Sequence, residues 1–263
     1  MRTIETDVFG RVVEVDCLSQ ILSILVGKGS PIYLWRGQGQ IEWPIHSAAY
    51  RRLLKSKFFA RDPDEEAMRD YERDLLTNAR HQGYGFENGR NLTDFELLAK
   101  LQHHGAATRF IDVSRNMLVA LWFACRSHTE STGLLFGVNT GMISGIEGNS
   151  ENSAYNDAFP PGKIIGDEDF PRLWQPPVVT KRIAAQSAQF LYSTVSHNRM
   201  GSLVLDIREN ATLAMAITPK VKKKFLRLLE DTFDIRLLTL FPDIDGFCSA
   251  NSEHFSRYNN DRW

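Results

Sequence analysis

Residues 101–126 read LQHHGAATRFIDVSRNMLVALWFACR, and this stretch predicts the central elements of the fold. The second half, from Asn116, is apolar on almost every face, which predicts a helix buried on most sides. The first half closes one helix and continues into a strand over residues 108–113. Six polar or ionisable side chains therefore lie between buried elements. Because unpartnered burial is costly, we expect them to form a network or a site.

The same rules predict the neighbouring elements. Thr93 followed by Glu96 is a capping box, and the helix that it opens should close at Gly105. The other expected helices cover residues 19–26, 62–82 and 218–229, with a short one after 243. The expected strands cover residues 31–35, 134–138, 189–196 and 202–207, the last two forming an antiparallel pair. We expect a loop at 84–91 and an irregular segment at 141–177, which by its length is typical of a functional region.

The composition of the chain argues against several classes of protein. The 263 residues are 43% hydrophobic, with 31 Lys and Arg against 32 Asp and Glu, so no global positive field attracts nucleic acid or acidic lipid. The three cysteines form no C-x-x-C pair, which fits a reducing cytoplasm. The start of the chain carries acids rather than a signal peptide, and no apolar run approaches the roughly 20 residues that span a bilayer. We therefore expect one α+β domain over residues 1–263, cytoplasmic and without membrane contact.

Several familiar motifs are absent from the chain. It has neither G-x-x-x-x-G-K-[ST] nor G-x-G-x-x-G, the glycine-rich loops that bind phosphates. It also lacks H-E-x-x-H and G-x-S-x-G. P-loop, dinucleotide-fold, zinc-peptidase and α/β-hydrolase interpretations are therefore unsupported.

An arginine stands at the end of an apolar strand, in Tyr33-Leu34-Trp35-Arg36-Gly37-Gln38. A guanidinium in this position needs a partner, and its planar fork suits a phosphate or a carboxylate. The alternative is pairing with an internal aspartate. We expect Gly37 to let a ligand approach the backbone closely.

Two further groups of polar residues, those within residues 101–114 and those around Gln186, are candidates for binding or catalysis. His103 and His104 are adjacent, but no carboxylate-rich motif accompanies them, so no metal is expected. Arg109 and Asp112 form either a structural bridge or part of a site. Gln186 leads directly into a strand, on the opposite face from Gln189.

These segments, taken in order, resemble the FRG-domain family. The motifs are Arg36-Gly37-Gln38, residues 102–112, Asn116 with residues 119–124, Arg182-Ile183 with Gln186 and Phe190, and residues 240–246. The resemblance spans about residues 30 to 247. Ala107 and Ala188 depart from it, standing where the family usually has proline and glycine.

The resemblance implies a fold similar to that of the arginine-serine-glutamate ADP-ribosyltransferases, a split β-sandwich of two small sheets flanked by helices, with NAD split in the cleft between them. The catalytic residues would be Arg36, Ser114 and Gln186. The NAD-binding residues would be Arg36, Gln38, His104, Thr108, Arg109, Asp112, Ser114 and Phe123. Ala120 and Phe123-Ala124 would stand behind the nicotinamide, and Tyr33, Trp35 or Phe110 would stack on the leaving base.

Gln186 occupies the place at which the transferases have a glutamate. Glutamine accepts a hydrogen bond from ribose but supplies no negative charge, at a loss of order a few kcal/mol of electrostatic stabilisation. A carboxylate from Glu42, Asp112, Glu147 or Glu151 would replace it.

The resulting expectation is an NAD-dependent ADP-ribosyltransferase, a glycosyltransferase that uses NAD as co-substrate and no metal. RNA or DNA is favoured as acceptor over protein, which makes the protein RNA-binding or DNA-binding. The resemblance implies a bacterial toxin in a toxin–antitoxin or anti-phage (antiviral defence) module, held in check by an antitoxin protein. The alternatives are a non-catalytic nucleotide-binding or sensing module and a metal-independent nuclease that uses His104 and Asp112. We interpret the basic helix around Lys220, Lys222, Lys223, Lys224 and Arg227 as a solvated face, with nucleic-acid contact as its alternative.

Overall fold

The computed structural model describes residues 1–29, 31, 33–56, 62–143, 154–161, 170–176, 181–205 and 211–253. The helices are α1 Leu18–Gly27, α2 Ala48–Leu54, α3 Glu65–His81, α4 Asp94–His103, α5 Met117–Arg126, α6 Tyr155–Ala158, α7 Lys181–Ala185, α8 Pro219–Phe233, α9 Leu237–Leu240 and α10 Ile244–Ala250. The strands are β1 Thr3–Thr6, β2 Gly10–Glu14, β3 Tyr33–Gln38, β4 Phe86–Glu87, β5 Arg90–Asn91, β6 Ile111–Ser114, β7 Gly133–Asn139, β8 Arg172–Trp174, β9 Ala188–Tyr192 and β10 Thr212–Ile217. No helix among these residues has the length and apolarity needed to cross a membrane.

The strands form a mixed α+β fold around one eight-stranded sheet, in the order β1-β2-β10-β7-β3-β6-β9-β8, with β4 and β5 as a separate hairpin. Two small sheets were expected, and the described ladder is instead continuous. Its connection in the middle is narrow, however: β3 pairs with β7 along its whole length but with β6 only at Trp35–Ser114. The two halves of the sheet therefore diverge on either side of this pair.

Alternation along the strands buries both faces of the sheet. Leu135 of β7 packs with α1, α5 and α8 on one face, while Leu134 and Phe136 pack on the other. A third cluster, centred on Phe95 and Phe110, fills the space between α4 and the β6-β9-β8 half. Continuous burial of this kind holds the strand ends at the narrow connection in fixed positions.

The helices that flank the narrow connection are those for which the sequence has strong local signals. Thr93 and Glu96 form the expected capping box of α4, and Asn116 caps α5 by accepting a hydrogen bond from the Leu118 amide. The start of α3 differs by two residues, because the Asp64 side chain, and not Asp62, accepts from the Ala67 amide. Pro219 occupies the first turn of α8, as expected.

Within the described part, the expected antiparallel pairing of residues 189–196 with 202–207 is confirmed only at the turn. The Ser196 amide donates to the Ser202 carbonyl at 3.0 Å, and Asn198 forms an antiparallel bridge with Gly201. Strand β9 pairs instead with β6 and β8. The two segments interpreted as a loop and as irregular contain regular elements: β4 and β5 lie within residues 84–91, and α6 and β8 within 141–177. The buried Trp174 of β8 packs against Phe95, so this segment contributes to the core.

The basic helix α8 is only partly solvated. Lys222 is completely buried, and its Nζ donates to the carbonyls of Gly39, Ser127 and His128 at 2.7, 3.0 and 2.9 Å. Burial lowers the pKa of this ammonium group. Lys222 therefore ties α8 to two loops, which corrects its interpretation as a surface cation.

Candidate functional site

A cavity of about 340 Å³ opens where the two halves of the sheet diverge. We call it the cleft. Its walls include Trp35, Arg36, Asp112, Ser114, Phe123 and Gln186. The strand pair Trp35–Ser114 forms its floor, so side chains from β3 and β6 enter one space. The sequence-predicted Arg36, Ser114 and Gln186 are therefore brought together, with Asp112 and Phe123.

The Arg36 guanidinium keeps much of its hydrogen-bonding capacity. Its Nη1 donates to the Asp112 carbonyl oxygen at 2.8 Å, and its Nε makes a long contact of 3.4 Å to Gln38 Oε1. The described residues supply no side-chain carboxylate within salt-bridge distance of it. Burial lowers the pKa of Arg36, and the Asp112 charge opposes that shift. A partly desolvated guanidinium in this state favours an anionic ligand.

Gly37 lines the cleft and is also required for helix packing, a role that the sequence did not suggest. A Cβ at this position would lie 1.8 Å from the Ala120 carbonyl oxygen and 2.6 Å from the Ala124 amide nitrogen. Helix α5 can therefore lie directly on β3 only because residue 37 is glycine. This close packing places Ala120 and Phe123 in the wall of the cleft.

Asp112 supplies a carboxylate to the cleft. Its Oδ1 accepts a hydrogen bond from Gln102 Nε2 at 2.8 Å. The side chain keeps solvent contact through the cleft while protein surrounds it on its other sides. This burial raises the pKa of Asp112, and the neighbouring Arg36 opposes the shift.

Ser114 and Gln186 are joined by a hydrogen bond. Ser114 Oγ donates to the Gln186 carbonyl at 2.7 Å and accepts from the Asn116 amide at 2.9 Å. Gln186 Nε2 donates to the Leu240 carbonyl at 2.9 Å. Ser187 adopts a φ of 47°, the left-handed region, in the turn that presents Gln186. The two side chains thus leave oxygen acceptors for a ligand.

One wall of the cleft is aromatic and apolar. Phe123 and Phe241 meet edge to face with ring centroids 6.1 Å apart. The Arg182 guanidinium lies over Phe241 at 4.9 Å and pairs with Asp243 through Nε and Nη2. Arg182, Phe241 and His103 were assigned no role from the sequence, because nothing local links them to Arg36.

Four of the expected ligand-binding residues do not line the cleft: Gln38, His104, Thr108 and Arg109. Buried Gln38 donates from Nε2 to the Trp43 carbonyl at 2.8 Å, and buried Thr108 donates to Gln102 Oε1.

Of the expected stacking residues, Trp35 lines the cleft, and Tyr33 and Phe110 belong to the core. Among the four candidate carboxylates, Asp112 lines the cleft and Glu42 does not. Glu147 and Glu151 lie outside the described residues.

Arg109 forms a buried network away from the cleft, so a bridge to Asp112 is wrong. Its backbone N and Nε donate to Glu72 at 2.6 Å each, its Nη1 donates to Glu65 at 2.9 Å, and its Nη2 donates to Tyr155 Oη. Burial alone would lower the pKa of Arg109, but Glu72, Tyr155 and Glu65 raise it above its usual range. The guanidinium is therefore fully used in holding α3, β6 and α6 together.

A second, more open cavity of about 690 Å³ lies beside α2 and carries positive charge. We call it the basic pocket; it is lined by Arg51, Arg52, Lys55 and Tyr71, among others. Arg52 lies over the Tyr71 ring at 5.6 Å. The positive charge of Arg51 makes a small contribution that lowers the pKa of both Arg36 and Asp112.

The fold and site define a mixed α+β protein with an open, charged cleft between the two halves of its sheet. Residues 31–133 match the model of the FRG domain. This match includes Arg36, Asp112, Ser114 and Phe123, and it ends before Gln186 and Phe241. Neither the curated proteins nor the solved structures contain a match to the chain.

Proposed function

We propose that the protein is an NAD-dependent ADP-ribosyltransferase with an ADP-ribosyltransferase-like fold, and that it binds NAD in the cleft and transfers ADP-ribose to a macromolecule. The observation that carries the proposal is the convergence of Arg36, Asp112 and Ser114 from β3 and β6 on one cavity. They offer a guanidinium for phosphate, a carboxylate and a hydroxyl acceptor, next to an aromatic wall. These are the groups that a dinucleotide needs at its pyrophosphate, ribose and base.

The proposed chemistry assigns each group a task. Cleavage of the bond between nicotinamide and ribose develops positive charge on the ribose, as in glycoside hydrolysis. Asp112 would stabilise that charge, in place of the glutamate for which the chain has Gln186. Arg36 would hold the pyrophosphate, and Ser114 would accept from a ribose hydroxyl because its own proton is donated to the Gln186 carbonyl. The nicotinamide would leave from beside Phe123 and Phe241.

The acceptor that we propose is nucleic acid, RNA or DNA, in preference to protein. The basic pocket supports this choice, because three cations and the Tyr71 ring line it. Phosphate backbones bind to cationic grooves, and bases stack on aromatic rings. The role as a toxin restrained by an antitoxin protein rests on the resemblance alone.

The test is to incubate the purified protein with NAD labelled in the adenylate and with total cellular RNA, DNA or protein. We expect release of nicotinamide and transfer of label to nucleic acid. Asp112→Asn keeps the oxygen that accepts from Gln102 but removes the charge, and should slow nicotinamide release by about 100-fold. Glu42→Gln is the matched control, because Glu42 is exposed outside the cleft. Equal rates for the two variants would exclude Asp112 from the chemistry.

The second candidate is a non-catalytic module that binds a nucleotide. The neutral amide of Gln186, whose Nε2 is committed to the Leu240 carbonyl, favours it. Calorimetry separates the two candidates: binding of NAD that is lost in Arg36→Ala, with no nicotinamide released by the wild type, would support the binding module. A nuclease that uses His104 and Asp112 is the weakest alternative, since His104 does not line the cleft.

A further inference from the structure

Two adjacent histidines and one distant aspartate meet at the rim of the cleft. His103 ends α4, His104 follows it, and Asp245 lies in the first turn of α10. One potential ligand atom from each lies within 4.8 Å of the others. The histidine rings meet edge to face with centroids 4.9 Å apart. The fold therefore brings Asp245 to a histidine pair that has no carboxylate near it in the sequence.

The cluster and its charged neighbours together carry one net negative charge, since Asp243 and Asp245 face the single guanidinium of Arg182. The Asp243 carboxylate accepts hydrogen bonds from Nε and Nη2 of Arg182 and from the Gly246 amide, so most of its hydrogen-bonding capacity is used. Asp245 has only a 3.5 Å contact with Arg182, and its side chain is 62% exposed. One guanidinium thus faces two carboxylates. Asp243 Oδ2 also lies 3.9 Å from His103 Nε2, whereas Asp245 is the carboxylate that lies near both histidines.

We propose that His103, His104 and Asp245 bind a divalent transition-metal ion, with Zn²⁺ as the best match, through two imidazole nitrogens and one carboxylate oxygen. Imidazole and carboxylate ligands suit Zn²⁺, and three protein ligands leave a fourth position for water or a substrate group. Since His103 also lines the cleft, an ion bound by these residues would lie at the rim of the cleft. The inference goes beyond the proposed function, which requires no metal.

The geometry needs only a small adjustment. Bonds of about 2.0–2.2 Å in a tetrahedron bring ligand atoms to roughly 3.3–3.5 Å from one another. His104 is exposed and Asp245 largely so, which leaves both free to rotate toward His103. A bound ion would connect the end of α4 to the start of α10 and fix one rim of the cleft.

The experiment uses the full chain without an affinity tag, stripped of metal by a chelator. Titration with Co²⁺ followed by visible absorption, and with Zn²⁺ by calorimetry, should show one bound ion per chain. His104→Ala and Asp245→Asn should each weaken Zn²⁺ binding by about tenfold or more, since each removes a ligand and loss of even an outer-shell partner costs about 10- to 100-fold. His81→Ala is the matched control, because His81 is exposed at the end of α3, away from the cluster.

The outcomes decide the proposal without reference to NAD. One saturable ion that is retained in His81→Ala and lost in the double variant His104→Ala/Asp245→Asn supports it. Equal Zn²⁺ affinity of the wild type and the double variant, or no saturable binding at all, overturns it. Thermal unfolding of each metal-free variant shows whether it is folded, so loss of binding cannot be confused with loss of structure.

Discussion

Arg36 lies in β3 and Arg109 lies two residues before β6, yet they have opposite surroundings. Arg109 is buried, and its nitrogens donate to Glu72, Glu65 and Tyr155. Arg36 lines an open cleft and has one short hydrogen bond, to a backbone carbonyl. Both positions belong to the same set of sequence motifs. The difference shows that protein carboxylates saturate one arginine of these motifs, whereas the other keeps unused donors at the cleft.

The energetic reason is the cost of leaving a charge unpaired. A buried guanidinium without partners is so unfavourable that the fold must supply carboxylates, as it does for Arg109. Solvent reaches Arg36 through the cleft, so the free protein tolerates its unused donors until an anion replaces the water. The two regions should therefore respond differently to substitution: one in stability and the other in ligand binding.

The largest expected effect is a loss of stability when the hydrogen-bonded network around Arg109 is disrupted. Glu72→Gln removes the main counter-charge of Arg109 and should lower the free energy of unfolding by about 3–5 kcal/mol. Urea denaturation measures it, with Asp74→Asn as the control, since Asp74 is an exposed acid on the same helix. The control should change stability by about 0.5 kcal/mol or less. Equal effects of the two substitutions would contradict the structural role of the network.

The next largest expected effect is a loss of activity when Arg36 is replaced. Arg36→Ala should slow nicotinamide release from NAD by about 100-fold, because a charge-assisted contact to the pyrophosphate is lost. Its unfolding free energy should stay within about 1 kcal/mol of the wild type. Arg73→Ala, in an exposed arginine on α3, is the control and should change neither quantity. A collapse of stability in Arg36→Ala would make Arg36 structural like Arg109 and remove the contrast.

A smaller effect is expected at the basic pocket. The triple variant Arg51→Gln/Arg52→Gln/Lys55→Gln should bind a labelled single-stranded 20-mer RNA about tenfold more weakly, with a shallower dependence on salt. Fluorescence anisotropy at several salt concentrations measures this. The control removes three exposed charges from α8, as Lys220→Gln/Lys223→Gln/Lys224→Gln. If both triple variants lose the same affinity, binding reflects net charge and not the pocket.

The smallest expected effect is a change in the pKa of Asp112. Burial raises the pKa of Asp112 and Arg36 opposes it, so Arg36→Ala should raise that pKa further. Carbon-13 NMR of the carboxyl, assigned with Asp112→Asn, follows the change. Because the folded-state pKa exceeds the unfolded one, ionised Asp112 disfavours folding above the folded pKa. That cost disappears as the pH falls below the unfolded pKa. An unchanged or lower pKa of Asp112 in the variant would contradict stabilisation of its carboxylate by Arg36.

The sequence predicted the elements whose signals are local. The capping box at Thr93, the apolar helix after Asn116 and the proline that starts α8 are all read within one helical turn. Strand β10 was missed because Thr212–Ile217 consists largely of helix-favouring alanine, leucine and methionine, and pairing with β7 overrides that preference. The partner of β9 was wrong for a related reason. Proximity along the chain favoured a long hairpin, but the described residues make its antiparallel contacts only around residues 196–202, and β9 pairs with β6 and β8.

The candidate site was likewise predictable from the sequence only in part. The sequence by itself determined that Arg36 and Asp112 are polar residues at strand positions and must find partners. Only the tertiary structure decided that Glu72, 37 residues before Arg109, saturates that arginine while Arg36 stays open. It also decided that Asp245 reaches the histidines at the end of α4. The physical reason is that local backbone preferences act over a few residues, whereas charge pairing depends on which distant segments the packed core brings together.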